Sequence, residues 1–196
     1  VRRADWALVC DVDEFLVIHE GSGRIEELIG TRTTDVPFLA MGFNWRIFGS
    51  CGVEAFQDEP VHQQFALALP LKGSGSSMMK MMHRQPRWFQ SLGEHGPRGW
   101  DLARYGRSPE GPGMYLVNAK GARVPHWSPE APRYIRTLAK PYATHARAQM
   151  NHYMLRSAET FSLKAGTRAP VSLTDRYTDA YRARADKGNE PDMSAF

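Results

Sequence analysis

Residues 5–15 read Asp-Trp-Ala-Leu-Val-Cys-Asp-Val-Asp-Glu-Phe, an unbroken apolar run that ends in carboxylates. The run Trp6 to Cys10 predicts a buried parallel strand, because a short continuous apolar segment with Val and Trp suits a strand covered on both faces. Side chains of an extended chain alternate with period two, so Asp11 and Asp13 are expected to leave that strand on one side. Two adjacent carboxylates repel unless something positive lies between them, and a hard divalent cation with phosphate oxygens does this best. The carboxyl ends of strands are also where open α/β sheets collect their ligands.

Composition narrows the class. At 196 residues the chain suits one domain with a real core. A mean hydropathy of -0.48 and the lack of an apolar run near 18 residues argue against a membrane span. No secretory leader is expected, since the apolar run after Arg2-Arg3 is short and interrupted by Asp11 and Asp13. Cys10 and Cys51 are too few for a disulfide framework, which predicts a reducing, cytoplasmic setting, with Cys10 a small buried hydrophobe. The net charge is +4, but the basic residues are scattered and no nucleic-acid recognition spacing occurs. The densest set, Arg84, Arg87, Arg98, Arg104 and Arg107, reads as solvated surface, with one or two sufficient for a phosphate-bearing ligand.

Along the chain, Ile25, Leu28 and Ile29 predict a short amphipathic helix stopped at Gly30. Val36 to Phe48 predicts a strand returning to the sheet, and Gly49-Ser50-Cys51-Gly52 a tight loop after it. Leu67 to Ser77 reads as a flexible loop, residues 86 to 113 as a long irregular region and acceptor-side lid, and Met114 to Val117 as a short strand. The Met78, Met79, Met81 and Met82 cluster reads as pliable packing around Lys80. Two helices follow, one capped by Ser157 with Glu159 in its first turn and Gly166 past its end. The other carries Ser172 and Asp175 as a capping box and Leu173, Tyr177, Ala180 and Tyr181 on one face.

The Asp11-Val12-Asp13 motif at a strand end fits two enzyme chemistries. In a haloacid-dehalogenase-like phosphatase the first Asp is a nucleophile and the second a general acid. In a GT-A glycosyltransferase the pair holds Mn²⁺ or Mg²⁺ against a nucleotide diphosphate. Phe15 stands where the phosphatase pattern places Thr or Val. The acidic residues available for its later motif, Asp175 and Asp179, fall on a predicted helix, so the phosphatase is the second reading.

Several further motifs follow in order. They are Trp6, Asp11 to Phe15, Trp45-Arg46-Ile47-Phe48-Gly49-Ser50-Cys51-Gly52, Lys80, Leu92-Gly93-Glu94-His95, Asn151-His152-Tyr153, Arg156-Ser157 and Lys164. This ordered set resembles the bacterial family-2-like glycosyltransferases, which are similar to the eukaryotic family 92 enzymes. The resemblance implies a GT-A-like mixed α/β sheet flanked by helices. It also implies transfer of a sugar from a nucleotide-sugar donor to a glycan or other hydroxyl acceptor, with Mn²⁺ or Mg²⁺ as cofactor. By the same resemblance Asp11, Asp13 and His152 hold the metal and Lys164 neutralises the diphosphate; Glu14, expected on the opposite face from the two aspartates, is taken to orient the loop instead.

Trp45 is a candidate for stacking on a sugar, Gly49 and Ser50 for offering backbone N–H groups, and His95 for touching the acceptor. An inverting transfer needs a carboxylate to deprotonate the acceptor, and Glu94 and Asp101 are taken for that role, with Glu54 and Asp58 also open. GT-A domains carry several strands ahead of the acidic motif, and here only Val1 to Cys10 precede it. The resemblance therefore implies a partial domain over residues 1–188, lacking its N-terminal part, with a loose tail over 189–196. On this expectation the Trp6–Cys10 strand has an exposed face or edge. A catalytically inactive nucleotide- or carbohydrate-binding remnant is a further reading.

Overall fold

The computed structural model describes residues 4–30, 38–71, 75–106, 114–130, 135–165 and 177–195. In chain order its strands are β1 (Trp6–Ala7), β2 (Glu14–Ile18), β3 (Ala40–Ile47), β4 (Leu67–Ala68), β5 (Met79–Arg84), β6 (Phe89–Gly93), β7 (Gly96–Trp100), β8 (Leu116–Asn118), β9 (Ala148–His152) and β10 (Glu190–Pro191). The helices are α1 (Ile25–Ile29), α2 (Val61–Gln64), α3 (Leu102–Tyr105), α4 (Ala158–Lys164) and α5 (Asp179–Ala185), with short 3₁₀ turns at Pro86–Trp88 and Lys140–Tyr142. The architecture is mixed α/β with a mixed sheet and few helices. Two compact units divide the chain: Val1–Trp45 with Ser77–Met150, and Arg46–Ser76 with Asn151–Phe196.

The first unit is built on a six-stranded sheet in the order β1-β5-β3-β9-β2, with β8 also paired to β3. Strand β5 runs antiparallel to both β1 and β3, and β8 joins β3 in parallel from Ala40↔Leu116 to Gly42↔Asn118. Period-two alternation explains the methionines. Met79 and Met81 pack with Ala40, Leu116 and Leu138 in one cluster, while Met82 packs with Met41, Phe43 and Met150 in another. The sheet is thus covered on both faces, and Lys80, entirely buried, is the one charged residue within the Met79–Met82 stretch. Helix α1 covers the second cluster through Leu28 and ends at Gly30, as its spacing predicts.

The first strand corrects the sequence reading. Only Trp6 and Ala7 pair, through Trp6↔Arg84 and Ala7↔His83, so the strand is an antiparallel edge rather than a buried parallel one. Both residues are half-buried and Cys10 is exposed, with both cysteines free. An apolar run identifies a strand but not its place in the sheet; the methionine strand β5, packed on both faces, takes the interior position.

The stretch expected to be irregular holds a hairpin. β6 and β7 pair from Phe89↔Trp100 to Gly93↔Gly96, with Glu94 and His95 as a two-residue loop. Pro97 is compatible with this because a two-stranded ribbon leaves one edge of each strand unpaired. Gly96 adopts φ 154°, and a Cβ there would stand 3.1 Å from the Met81 Cβ, so the hairpin lies against β5 where only glycine fits without a shift. Residues 107–113 lie outside the described residues.

His83 on β5 is buried, with Nδ1 3.2 Å from the Arg84 carbonyl and its ring edge-on to Phe89. Burial pushes it down to about 4. The unfolded chain binds this proton near pH 6.5 and the folded chain only near 4, so the stability contribution is complete above pH 6.5 and lost as pH falls through 4. The loss is on the order of 3 kcal/mol. Urea midpoints at pH 7.5 and 4.5 are expected to fall less in His83→Gln than in the parent; parallel falls would refute the assignment.

In the second unit β4 and β10 pair antiparallel through Glu190↔Ala68 and Pro191↔Leu67. Residues 67–68 are therefore strand rather than loop, and residues 190–191 are not a loose tail. Arg46 fixes that end: its Nε lies 2.7 Å from Asp192 Oδ2, and its Nη1 lies 2.9 Å from Glu190 Oε2 and 2.7 Å from the Leu69 carbonyl. The expected loop after β3 is present, with Cys51 at φ 53°, Gly52 at φ 76° and the Val53 N–H on the Ser50 carbonyl. The Ser157 Oγ caps α4 by accepting the Thr160 N–H, as its sequence predicts. Thr178 caps α5; Gly166, Ser172, Leu173 and Asp175 lie outside the described residues. Among the described residues no helix is long and apolar enough to cross a membrane.

Candidate functional site

The acidic motif is a turn rather than the end of an extended strand. The Glu14 N–H donates to the Asp11 carbonyl at 3.1 Å, and Glu14 Oε2 accepts the Asp11 N–H at 2.9 Å. The turn is closed from both sides, and Val12 at its apex is 91% exposed. Period-two alternation therefore does not govern Asp11 and Asp13; the turn holds both carboxylates next to Glu14. Glu14 orients the loop by using its own side chain as the acceptor, but it does so from the same side as Asp11, since one lysine meets both carboxylates, and not from the opposite face.

Lys80 anchors this turn from inside the sheet. Its Nζ lies 2.9 Å from Glu14 Oε2, 3.1 Å from Asp11 Oδ2 and 2.6 Å from the Glu94 carbonyl. An ammonium has three N–H donors, and here all three have acceptors. Burial works to lower the Lys80 pKa, but the hydrogen bonds and charges of Glu14 and Asp11 outweigh it and raise it, so the lysine stays protonated. Burial pushes Glu14 up against the pull of its donors; its side chain is fully buried and Oε1 has no hydrogen-bond partner. Asp11 is different, with a side chain 56% exposed.

The same lysine ties the acidic turn to the hairpin loop. Glu94 supplies its carbonyl, and the next residue, His95, is buried with Nδ1 2.8 Å from the Met79 carbonyl. Burial lowers the His95 pKa, which favours the neutral ring with Nδ1 donating to the Met79 carbonyl. Trp45 lies against it with ring centroids 5.6 Å apart. Asp11, Glu14, Lys80, Glu94, His95 and Trp45 thus form one linked set.

Asp101 stands apart from that set. It follows β7 at the opposite end from the hairpin loop, about 17 Å of strand from Glu94. Its carboxylate caps α3 by accepting the Arg104 N–H at 3.2 Å. Of the two residues taken as candidate bases, Glu94 is the one whose backbone is tied to the acidic turn through Lys80.

The remaining candidates belong to the second unit. The Gly49 N–H donates to the Leu67 carbonyl, and Ser50 gives its N–H and hydroxyl to Asp186 at 2.6 and 2.7 Å. Both N–H groups expected to face a ligand are thus used within the protein. His152 is buried at the end of β9, its carbonyl accepting the Phe48 N–H. Its neighbours Asn151 and Tyr153 are joined by a 3.2 Å hydrogen bond, with Tyr153 stacked on Phe48 at 4.6 Å. Lys164 ends α4 with Nζ 5.8 Å from the Tyr177 ring centroid.

Among the described residues, no three His, Cys, Asp or Glu side chains form a group placed to hold a metal ion. The turn nonetheless suits a cation in part. Asp11 and Glu14 face the one ammonium, Asp13 adds a third carboxylate to the turn, and Asp11 keeps half its side chain open. Such a site offers one or two protein carboxylates, the arrangement in which a ligand's phosphates complete the shell of Mg²⁺ or Mn²⁺. The role of Lys80 was missed in the sequence, although a single charge inside a methionine run signals a buried ion pair. No protein-family model and no curated protein matches the chain.

Proposed function

We propose that the chain is a metal-dependent glycosyltransferase of GT-A type, acting on a nucleotide-sugar donor and a hydroxyl acceptor. The observation that carries this reading is the acidic turn fixed by Lys80 beside the Glu94-His95 loop. The ordered motifs that resemble family-2-like glycosyltransferases support it, and the third-ligand role of His152 rests on that resemblance alone.

Asp11 and Asp13 would hold Mn²⁺ or Mg²⁺, which when bound offsets charge on the departing nucleoside diphosphate. Lys80 fixes the turn and is not itself a ligand, since its donors are used. Glu94 takes the acceptor proton, and His95, with Trp45 against it, contacts the acceptor. The phosphatase reading is less well supported. Its nucleophile stands beyond a core strand, whereas Asp11 follows a two-residue edge strand.

Titration calorimetry with a panel of nucleotide sugars, with and without Mn²⁺, tests the proposal. Metal-dependent binding is expected, weakened at least tenfold in Asp13→Asn, with sugar transfer detected by mass spectrometry. Binding without turnover would favour the inactive remnant. Release of phosphate from a phosphomonoester without metal-dependent nucleotide binding would move the assignment to the phosphatase.

A further inference from the structure

A cleft of about 300 Å³ lies among the Pro86–Trp88 turn, β6 and the start of α3, and the roles above do not use it. Its apolar wall is Phe89 and Leu92; its polar rim carries Arg87, Arg104, Ser91 and Asp101. That volume is at the small end of the range for ligand sites, enough for one sugar ring or a molecule of similar size. The lining charges are unequal: Arg87 and Arg104 against Asp101, whose carboxylate already caps α3 through the Arg104 N–H.

The walls are held rigidly. Phe89 meets Trp100 edge-on at 5.8 Å, and Trp88 packs on the same ring at 5.6 Å. Gln85, at φ 47°, gives its N–H to the Asp5 carbonyl and turns the chain into Pro86, which sets the direction of Arg87. A non-glycine residue in this left-handed conformation is held there by its surroundings. The Arg104 guanidinium sits 5.4 Å over the Tyr105 ring, which limits its freedom. Two arginines beside apolar lining match an oxyanion carried on a small body with one apolar face.

We propose that this cleft binds a small anionic ligand, its phosphate or carboxylate held between Arg87 and Arg104 and its body against Phe89 and Leu92. The inference does not depend on the transferase reading. It predicts affinity for free oxyanions and for acidic sugars, and none for neutral sugars of the same size.

The test is an amide and arginine-Nε NMR titration of the full chain with inorganic phosphate, glucuronate and glucose. Saturable shifts are expected at Ser91, Leu92 and the two arginine Nε groups with phosphate and glucuronate, but not with glucose. Tighter binding of glucuronate than phosphate identifies a carboxylated sugar; the reverse order identifies a tetrahedral anion. Arg87→Gln and Arg104→Gln, both at exposed positions, are each expected to weaken binding at least tenfold while leaving the Trp100 indole resonance in place. Equal shifts with glucose, shifts confined to other residues, no saturation, or unchanged affinity in both variants would overturn the assignment.

Discussion

Replacing Lys80 with methionine is expected to cost about 3–5 kcal/mol of unfolding free energy, a large share of the stability of a domain this size. Methionine fills most of the same volume, so the loss reports charge rather than packing. It leaves Glu14, whose side chain is fully buried, with a carboxylate that keeps only the Asp11 N–H as donor. The half-exposed Asp11 contributes little to the cost, since water can take over its solvation. Glu14→Gln in the Lys80→Met background is expected to recover more than 1 kcal/mol, because a neutral amide can be buried where an unpaired carboxylate cannot. Chemical denaturation of the four proteins in the double-mutant cycle measures the coupling. A Lys80→Met variant within 1 kcal/mol of the parent, or a coupling near zero, would mean that the buried pair is absent.

Arg46→Met is the second large effect, at roughly 3 kcal/mol within the second unit. Arg46 holds Asp192, whose side chain is only 10% exposed, and also caps the Leu69 carbonyl. Removing the guanidinium takes the charged donor from Asp192 Oδ2, while Oδ1 keeps the Ser194 N–H and hydroxyl, and takes the Nη1 donor from the Leu69 carbonyl, on either side of the β4–β10 pair. Residues 190–195 are then expected to become a site of early proteolysis and fast amide exchange, while α4, capped by its own Ser157, stays protected longer. Cleavage in this segment at the parent's rate would show that Arg46 does not secure it.

The local features of the fold were the most legible. The α1 helix with its Gly30 stop, the Ser157 cap and the methionine packing follow from periodicity and capping chemistry that act within a few residues. What the sequence hid depends on partners far along the chain. Nothing in Trp6 to Cys10 says that Met79–Arg84 will take the interior place beside it, so an edge strand read as a core strand. Residues 190–192 look like a polar tail because the residue that pairs with Asp192 is 146 positions away.

The site shows the same division. Asp11 and Asp13 stand out as paired carboxylates, but their geometry comes from the turn that Glu14 closes, and period-two reasoning passes over a turn. Glu94 and Asp101 looked equivalent as acids near an irregular stretch. A hairpin separates them, with one in its loop and the other past its end. Ser50 was read as a donor toward ligand because its loop is glycine-rich; Asp186, 136 residues later, takes both of its hydrogen bonds.

The Lys80 contacts also fix when this turn can exist. The lysine closes a span of 69 residues back to Asp11 and one of only 14 forward to Glu94. Chains are made from the N-terminus, so Asp11, Asp13 and Glu14 emerge long before their counter-charge does. Closing the longer loop costs more entropy than closing the shorter one. A growing chain therefore carries this acidic segment uncompensated until the methionine strand has been synthesised, and completes the ammonium's contacts only once the hairpin loop has followed it. The acidic turn is synthesised well before the residues that give it its native shape.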